Sequence, residues 1–318
     1  MVLQTMMILV QINHPGRQSP IGAGQRGLCQ KNIAPSAIGL NFGDGLIPHT
    51  INAVVFGTPR EMTIKDIEHV INAFVDTALL ASKAGFAGVE VHAAHGYLLS
   101  QFLSSQSNKR TDDYGGSPTK RARIVVEILR AIRSVVPREF CVGIKLNSVD
   151  HQSATDFQGC LEQLRLIADT EIDFLEISGG SYENPTMNVG LSESNGASNP
   201  SSRTVAREAF FLEFAQAIRR DLPDLPLMVT GGFRTRRGME TAISSNACDL
   251  VGLGRPAVMD PKIPKTLFLN PNIKDEDASI SVKRVPPSWA MRAIGVKALG
   301  AGTEHVSQVI REFLMSYY

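Results

Sequence analysis

The hexamer His92-Ala-Ala-His95-Gly-Tyr97 brings two imidazoles and a phenol together in one short stretch. Two neutral imidazoles can donate hydrogen bonds to one developing oxyanion. A phenol with an ordinary pKa near 10 can protonate a strongly basic carbanion or enolate. A metal would need a third ligand close by, and none stands at a useful spacing, so no metal is expected. The hexamer alone also fits two hydrogen-bonded core histidines and a packing tyrosine.

Three further features carry chemistry. Lys145 interrupts the apolar run CVGIKL near its end. It is either one half of a structural ion pair or a fixed cation beside a group that becomes anionic. Gly231-Gly232 and Gly254-Arg255 follow two successive apolar runs. Glycine allows close backbone approach, and such loops after the last strands of a barrel commonly hold a phosphate, with an arginine as bidentate partner. A single Gly-Gly reads as a tight turn; two such loops in succession favour the phosphate. The cluster Asn108-Lys109-Arg110-Thr111-Asp112-Asp113 reads as a solvated, capped loop.

Short apolar runs alternating with amphipathic stretches must position these residues. Strands are expected at Met7–Asn13, Gly88–His92, Cys141–Leu146, Asp173–Ser178, Leu227–Thr230 and Leu250–Leu253. Helices are expected at Thr63–Ala84, Leu98–Ser104, Ser117–Val136, Asp156–Asp169, Thr204–Arg220 and Arg236–Ser245, with Thr63 and Ser117 as N-caps. No long periodic element is expected in His14–Pro59, and Pro256–Arg284 reads as loop. Trp289–Leu299 and Glu304–Ser316 read as terminal helices, candidates for a homo-oligomer interface. The strands read as apolar on both faces, which is the pattern of a parallel sheet covered by helices.

Two parallel architectures compete. A doubly wound sheet normally carries G-x-G-x-x-G after its first strand; here that strand is followed by NHPGRQSP. In a TIM-type (β/α)8 barrel, reactive residues sit just after many different strands. Gln11 and His14, His92 and His95, Lys145 and Asn147, Ser178, Gly231-Gly232 and Gly254-Arg255 follow six successive strand ends, which favours the barrel. A closed barrel needs eight units, so this α/β chain reads as a barrel truncated at its N-terminus to about six. One domain over 1–318 is expected, with barrel elements over 1–260 and a C-terminal loop and helices over 261–318.

Composition sets the outer bounds. The 318 residues are 43% hydrophobic and 20% charged, as in an ordinary globular domain. Thirty-two Lys+Arg against thirty-one Asp+Glu leave +1, so no basic surplus calls for nucleic acid. Cys29, Cys141, Cys160 and Cys248 form no C-x-x-C pair. That spacing signals neither zinc nor a disulfide framework, and a cytoplasmic, reducing setting is expected. The opening MVLQTMMILV is far shorter than the roughly 18 apolar residues of a membrane span and has no basic leader, so it reads as a buried strand.

Taken together, HAAHGYLLSQFLS, SNKRTDDYGGS, TGGFRT and VGLGRP, with LVQINHPGRQSP and PREMT, resemble the Old Yellow Enzyme family of FMN-dependent NAD(P)H oxidoreductases. The resemblance covers nearly the whole chain in order. It implies a (β/α)8 barrel with FMN at its C-terminal face and NADPH or NADH as hydride donor. It implies a small α,β-unsaturated carbonyl substrate, reduced at its C=C bond. By match, Gln11 contacts the flavin ring, and His92 and His95 hold the substrate carbonyl or the nicotinamide amide. Tyr97 is the proton donor; Gly231, Gly232, Gly254 and Arg255 hold the FMN phosphate.

Two departures stand out. Lys145 occupies a place where the family usually has a flavin-contacting arginine, so the charge is kept and the planar fork lost. The first strand here corresponds to the family's third, leaving about a quarter of the usual fold unmatched. An incomplete gene model, a partner chain completing the barrel, or a degenerate homologue without FMN would each explain that. Besides ene-reduction, two readings stay open: a flavin-site isomerase or epimerase without net reduction, and a non-catalytic relative.

Overall fold

The computed structural model describes residues 7–23, 26–27, 30–43, 45–148, 154–179, 212 and 214–280. In chain order its elements are β1 (Leu9–Ile12), β2 (Ile33–Ala34), α1 (Leu46–Val55), β3 (Arg60–Glu61), α2 (Ile64–Lys83), β4 (Gly88–Ala93), α3 (Leu98–Leu103) and α4 (Pro118–Val135). They continue with β5 (Cys141–Asn147), α5 (Ala154–Ala168), β6 (Phe174–Ser178), β7 (Leu227–Thr230), α6 (Arg236–Ser244), β8 (Leu250–Gly252) and α7 (Arg255–Met259).

Six strands form one parallel sheet in the order β1-β4-β5-β6-β7-β8. A doubly wound sheet reverses direction at a switch point. This order follows the sequence from one edge to the other without reversal, as barrel strands do. β2 and β3 make a separate two-stranded pair.

The helices form where sequence signals place them. Thr63 caps α2 by accepting from the Asp66 N–H, while the Asp66 carboxylate accepts from the Thr63 N–H at 2.8 Å, a reciprocal capping box. Ser117 caps α4, and Pro118 sits where a missing N–H costs nothing. Ile67, Val70, Phe74 and Ala78 of α2, with Ile124, Ile128 and Ile132 of α4, are buried in the hydrophobic core with the strands. Burying each large aliphatic side chain contributes roughly 1.5–3 kcal/mol.

The sheet corrects one expectation. Its strands are not apolar on both faces. Val89, Val91, Val142, Ile144, Leu175, Ile177, Leu227 and Val229 form one face and are fully buried. The alternate positions carry Gln11, Glu90, His92, Lys145, Asn147, Glu176, Ser178 and Thr230. Because parallel partners share a face, the register His92–Lys145–Glu176 lines these groups up across three strands.

Other expectations shift as well. Met7 and Ile8 are exposed rather than buried, because β1 is an edge strand paired only with β4 among the described residues. The His14–Pro59 segment contains α1, whose periodicity is masked by Pro48 in its first turn and by exposed Leu46 and Val54. Pro256–Arg284 holds α7 and a single π-type turn at Pro264–Phe268. The terminal helices, and the Thr204–Arg220 helix before residue 212, lie outside the described residues.

Candidate active site

β4 ends in a tight reversal that makes the site. His95 and Gly96 both have left-handed backbone, with φ of 58° and 72°. For a histidine that conformation costs on the order of 1–3 kcal/mol and persists only where surroundings fix it. Here the His95 N–H donates to Asn147 Oδ1 at 2.9 Å, and the His95 carbonyl accepts from Gln18 Nε2 at 2.8 Å. Tyr97 follows as the N-cap of α3, its ring edge-on to His92 with centroids 4.8 Å apart.

The two imidazoles have a fixed direction. The Ala94 N–H donates to His92 Nδ1 at 3.1 Å. A backbone N–H can only donate, so the proton of neutral His92 is on Nε2. Nε2 lies 3.1 Å from His95 Nδ1 and donates to it. His95 therefore carries its proton on Nε2, which donates to Ser178 Oγ at 3.1 Å. Burial pushes His92 down to about 3, with His95 and Lys145 adding to the shift. Burial and then Lys145 push His95 down to about 4. Both rings are uncharged at neutral pH.

Level with His92 across the sheet, Lys145 Nζ pairs with Glu176 Oε1 at 2.5 Å, both side chains largely buried. Glu90 accepts from Gln11 Nε2 and faces Glu176. Thus Lys145 is one half of a buried ion pair, the first of the two readings its sequence position allowed. Gln11, exposed at the sheet edge, spends its amide on Glu90.

Gly231 and Gly232 take φ of 137° and 83°, conformations that side chains rarely adopt. A Cβ built on Gly254 would meet nothing within 4 Å, so the backbone there is open to approach. Arg255 opens α7; its side chain lies outside the described residues. These loops follow β7 and β8, while His92, His95, Tyr97 and Lys145 gather around β4 and β5. The cation, the uncharged donors and the glycine cradle fit a flavin mononucleotide, whose ring accepts hydrogen bonds and gains negative charge on reduction.

Sequence reasoning missed several contributors. Glu90 and Glu176 looked like ordinary strand residues, although an acid at alternate positions of an apolar run was a usable signal, and Ser178 was placed at a strand end without its partner His95. Gln101 is buried and binds three backbone groups, accepting from Arg17 N–H and donating to the carbonyls of Pro15 and Gly96. The SNKRTDD segment is not solvated throughout. Arg110 is buried and donates to the carbonyls of Pro35 and Met62, and Asn108 to those of Phe102 and Tyr114. Among the described residues no group of His, Cys, Asp and Glu could hold a metal, and no helix is long and apolar enough to cross a membrane.

The chain is 53% identical over 298 residues to the NADH-dependent flavin oxidoreductase iliE of Neonectria sp. (strain DH2), covering 92% of this chain and 39% of that protein. It is 48% identical over 305 residues to the NADH-dependent flavin oxidoreductase iccE of Talaromyces variabilis, covering 95% and 73%. The Old Yellow Enzyme homologue of Zymomonas mobilis superposes with a TM-score of 0.64 at 20% identity, over 86% of this chain and 71% of that one. That likeness supports the barrel fold, of which the parallel sheet is a part. Residues 3–272 match the model of the NADH:flavin oxidoreductase / NADH oxidase family, and it is to this family, with its FMN cofactor, that the chain belongs.

Proposed function

We propose that the protein is an FMN-dependent NAD(P)H oxidoreductase that reduces the C=C bond of a small α,β-unsaturated carbonyl compound. The observation carrying this reading is the union, at one end of the sheet, of Tyr97, two uncharged histidines and a buried cation. FMN, held by Gln11, Lys145 and the Gly231-Gly232 and Gly254-Arg255 loops, would supply the hydride chemistry that links the nicotinamide to the substrate β-carbon. NADH is the donor named for the Neonectria and Talaromyces relatives.

The chain's own residues supply the rest. The substrate carbonyl takes the place of the present acceptors of His92 Nε2–H and His95 Nε2–H. Both donors are neutral, so they stabilise growing negative charge on that oxygen without surrendering a proton. Tyr97 O–H delivers the proton to the α-carbon. Lys145 supplies positive charge to the flavin, Gln11 its edge contact, and Gly231, Gly232, Gly254 and Arg255 the phosphate site. A cytoplasmic setting belongs to the same reading, since Cys141, Cys160 and Cys248 are free thiols.

The test is direct. The purified chain, desalted, should show flavin absorption bands, with FMN released on denaturation. NADH should bleach the bands, and a cyclic enone should restore them. A colourless protein that does not take up added FMN overturns the reading. Product formation without stoichiometric consumption of NAD(P)H would replace it with an isomerase.

A further inference from the structure

Glu90 and Glu176 come from strands that are not neighbours. They meet across β5, where Glu90 is level with Gly143 and Glu176 with Lys145. Both are almost completely buried, and their carboxyl groups lie within hydrogen-bonding reach. Two ionised carboxylates are acceptors only, so that contact is repulsive unless a proton stands in it.

The neighbours decide where the proton sits. Glu176 is held in its charged form by Lys145 and by the Thr230 hydroxyl. Glu90 has one donor, the Gln11 amide on Oε2, while its buried Oε1 accepts from no donor. We propose that Glu90 and Glu176 share one proton, resident on Glu90, and that this acid pair is the positioning unit that holds Lys145 for the flavin.

The charge arithmetic supports it. The groups facing the pair are Gln11 from β1, His92 and the following His95, Lys145 from β5, and Thr230 from β7. With the proton shared, Lys145 and Glu176 cancel and the floor of the site is neutral. With both acids ionised it carries a net negative charge, in the place assigned to a cofactor that becomes anionic. The shared proton rests on the register, the burial of both acids and the unpartnered Glu90 oxygen; its bearing on flavin rests on the function proposed above.

Carbon-13 NMR of the full chain labelled at glutamate Cδ separates the two. One carboxyl should titrate near pH 8, and Glu90→Gln should delete that resonance. Glu176→Gln should move the Glu90 midpoint down, which burial alone would not do. No glutamate titrating above the ordinary range, or a Glu90 midpoint unmoved by Glu176→Gln, overturns the shared proton. FMN binding, followed by quenching of its fluorescence, should weaken about tenfold from pH 6 to pH 9 in the parent, the scale of one added charge at this range. The dependence should vanish in Glu90→Gln. A parent affinity flat with pH beside the titrating resonance overturns the positioning role. Failure to bind FMN at any pH overturns the functional reading and this role together, leaving the shared proton to stand or fall on the NMR.

Discussion

His92 Nε2 donates to His95 Nδ1 at 3.1 Å, and the direction of that bond is set two residues away by a backbone N–H. The relationship makes the histidine pair a directed chain rather than two independent donors. Ala94 N–H points to His92, His92 to His95, and His95 to the Ser178 hydroxyl. A substrate carbonyl must compete with acceptors already in place, so its affinity reads out the difference between the two sets of bonds.

Acid should destabilise the fold through the two histidines. Both imidazoles titrate below the ordinary 6.5 because burial disfavours their charged forms. The unfolded chain therefore takes up protons first, and stability falls as pH drops from 6.5 toward 3. Glu90 has the opposite sign: its folded value is raised, so its contribution is full below 4.5 and fades as pH rises toward 8. A comparison of His92→Asn with the parent isolates the histidine effect. The urea midpoint of the parent should fall more steeply than that of the variant between pH 7 and pH 5. Equal slopes would show that His92 is not held neutral.

Tyr97→Phe keeps the ring that packs edge-on to His92 and removes only the hydroxyl. General acid catalysis is worth about 10²–10⁴ in rate. Stopped-flow measurement should show reoxidation of reduced flavin by an enone slowed by that factor, with reduction by NADH unchanged. Equal loss in both half-reactions would assign Tyr97 to binding instead of proton transfer.

Much of this site was legible before any coordinates. Strand and helix positions followed from alternation and caps such as Thr63 and Ser117, because those signals are local. The grouping of His92, His95 and Tyr97 was legible for the same reason. The polar face was not, since Glu90 and Glu176 stand 86 positions apart in number and meet only through the β4–β5–β6 register. The buried roles of Gln101 and Arg110 were hidden similarly, as their partners are carbonyls of distant segments, which no side-chain pattern marks. α1 escaped because an edge helix with exposed Leu46 and Val54 lacks a clean apolar stripe.

Lys145 and Glu176 form a buried pair, and removing one partner of such a pair costs about 3–5 kcal/mol by stranding the other charge. Lys145→Ala should therefore lose stability on that scale in urea denaturation, and Glu176→Gln on the same background should recover most of it. In the double variant, restored folding lets the flavin role be read separately. FMN affinity and the rate of flavin reduction should both stay low. If Lys145→Ala leaves both unchanged, the lysine is structural only.

Gln101 joins the turn after β1 to the turn after β4. Gly16 has φ of 57°, and a Cβ built there would lie 2.5 Å from Gln101 Oε1 and 2.6 Å from Nε2. Gln101 in turn ties Arg17 N–H to the Gly96 carbonyl, beside the donor from Gln18 to His95. Gly16→Ala must therefore strain the backbone and displace the amide, orphaning buried groups at about 1–3 kcal/mol each. Gln101→Ala should orphan the same groups but relieve the clash. The two losses should consequently be less than additive, by more than about 0.5 kcal/mol, in a double-mutant cycle. Both single variants should also raise the KM for the enone, because His95 is left less firmly placed. Strict additivity, with KM unmoved, would mean that the two turns are not coupled and that Asn147 alone holds the His95 backbone.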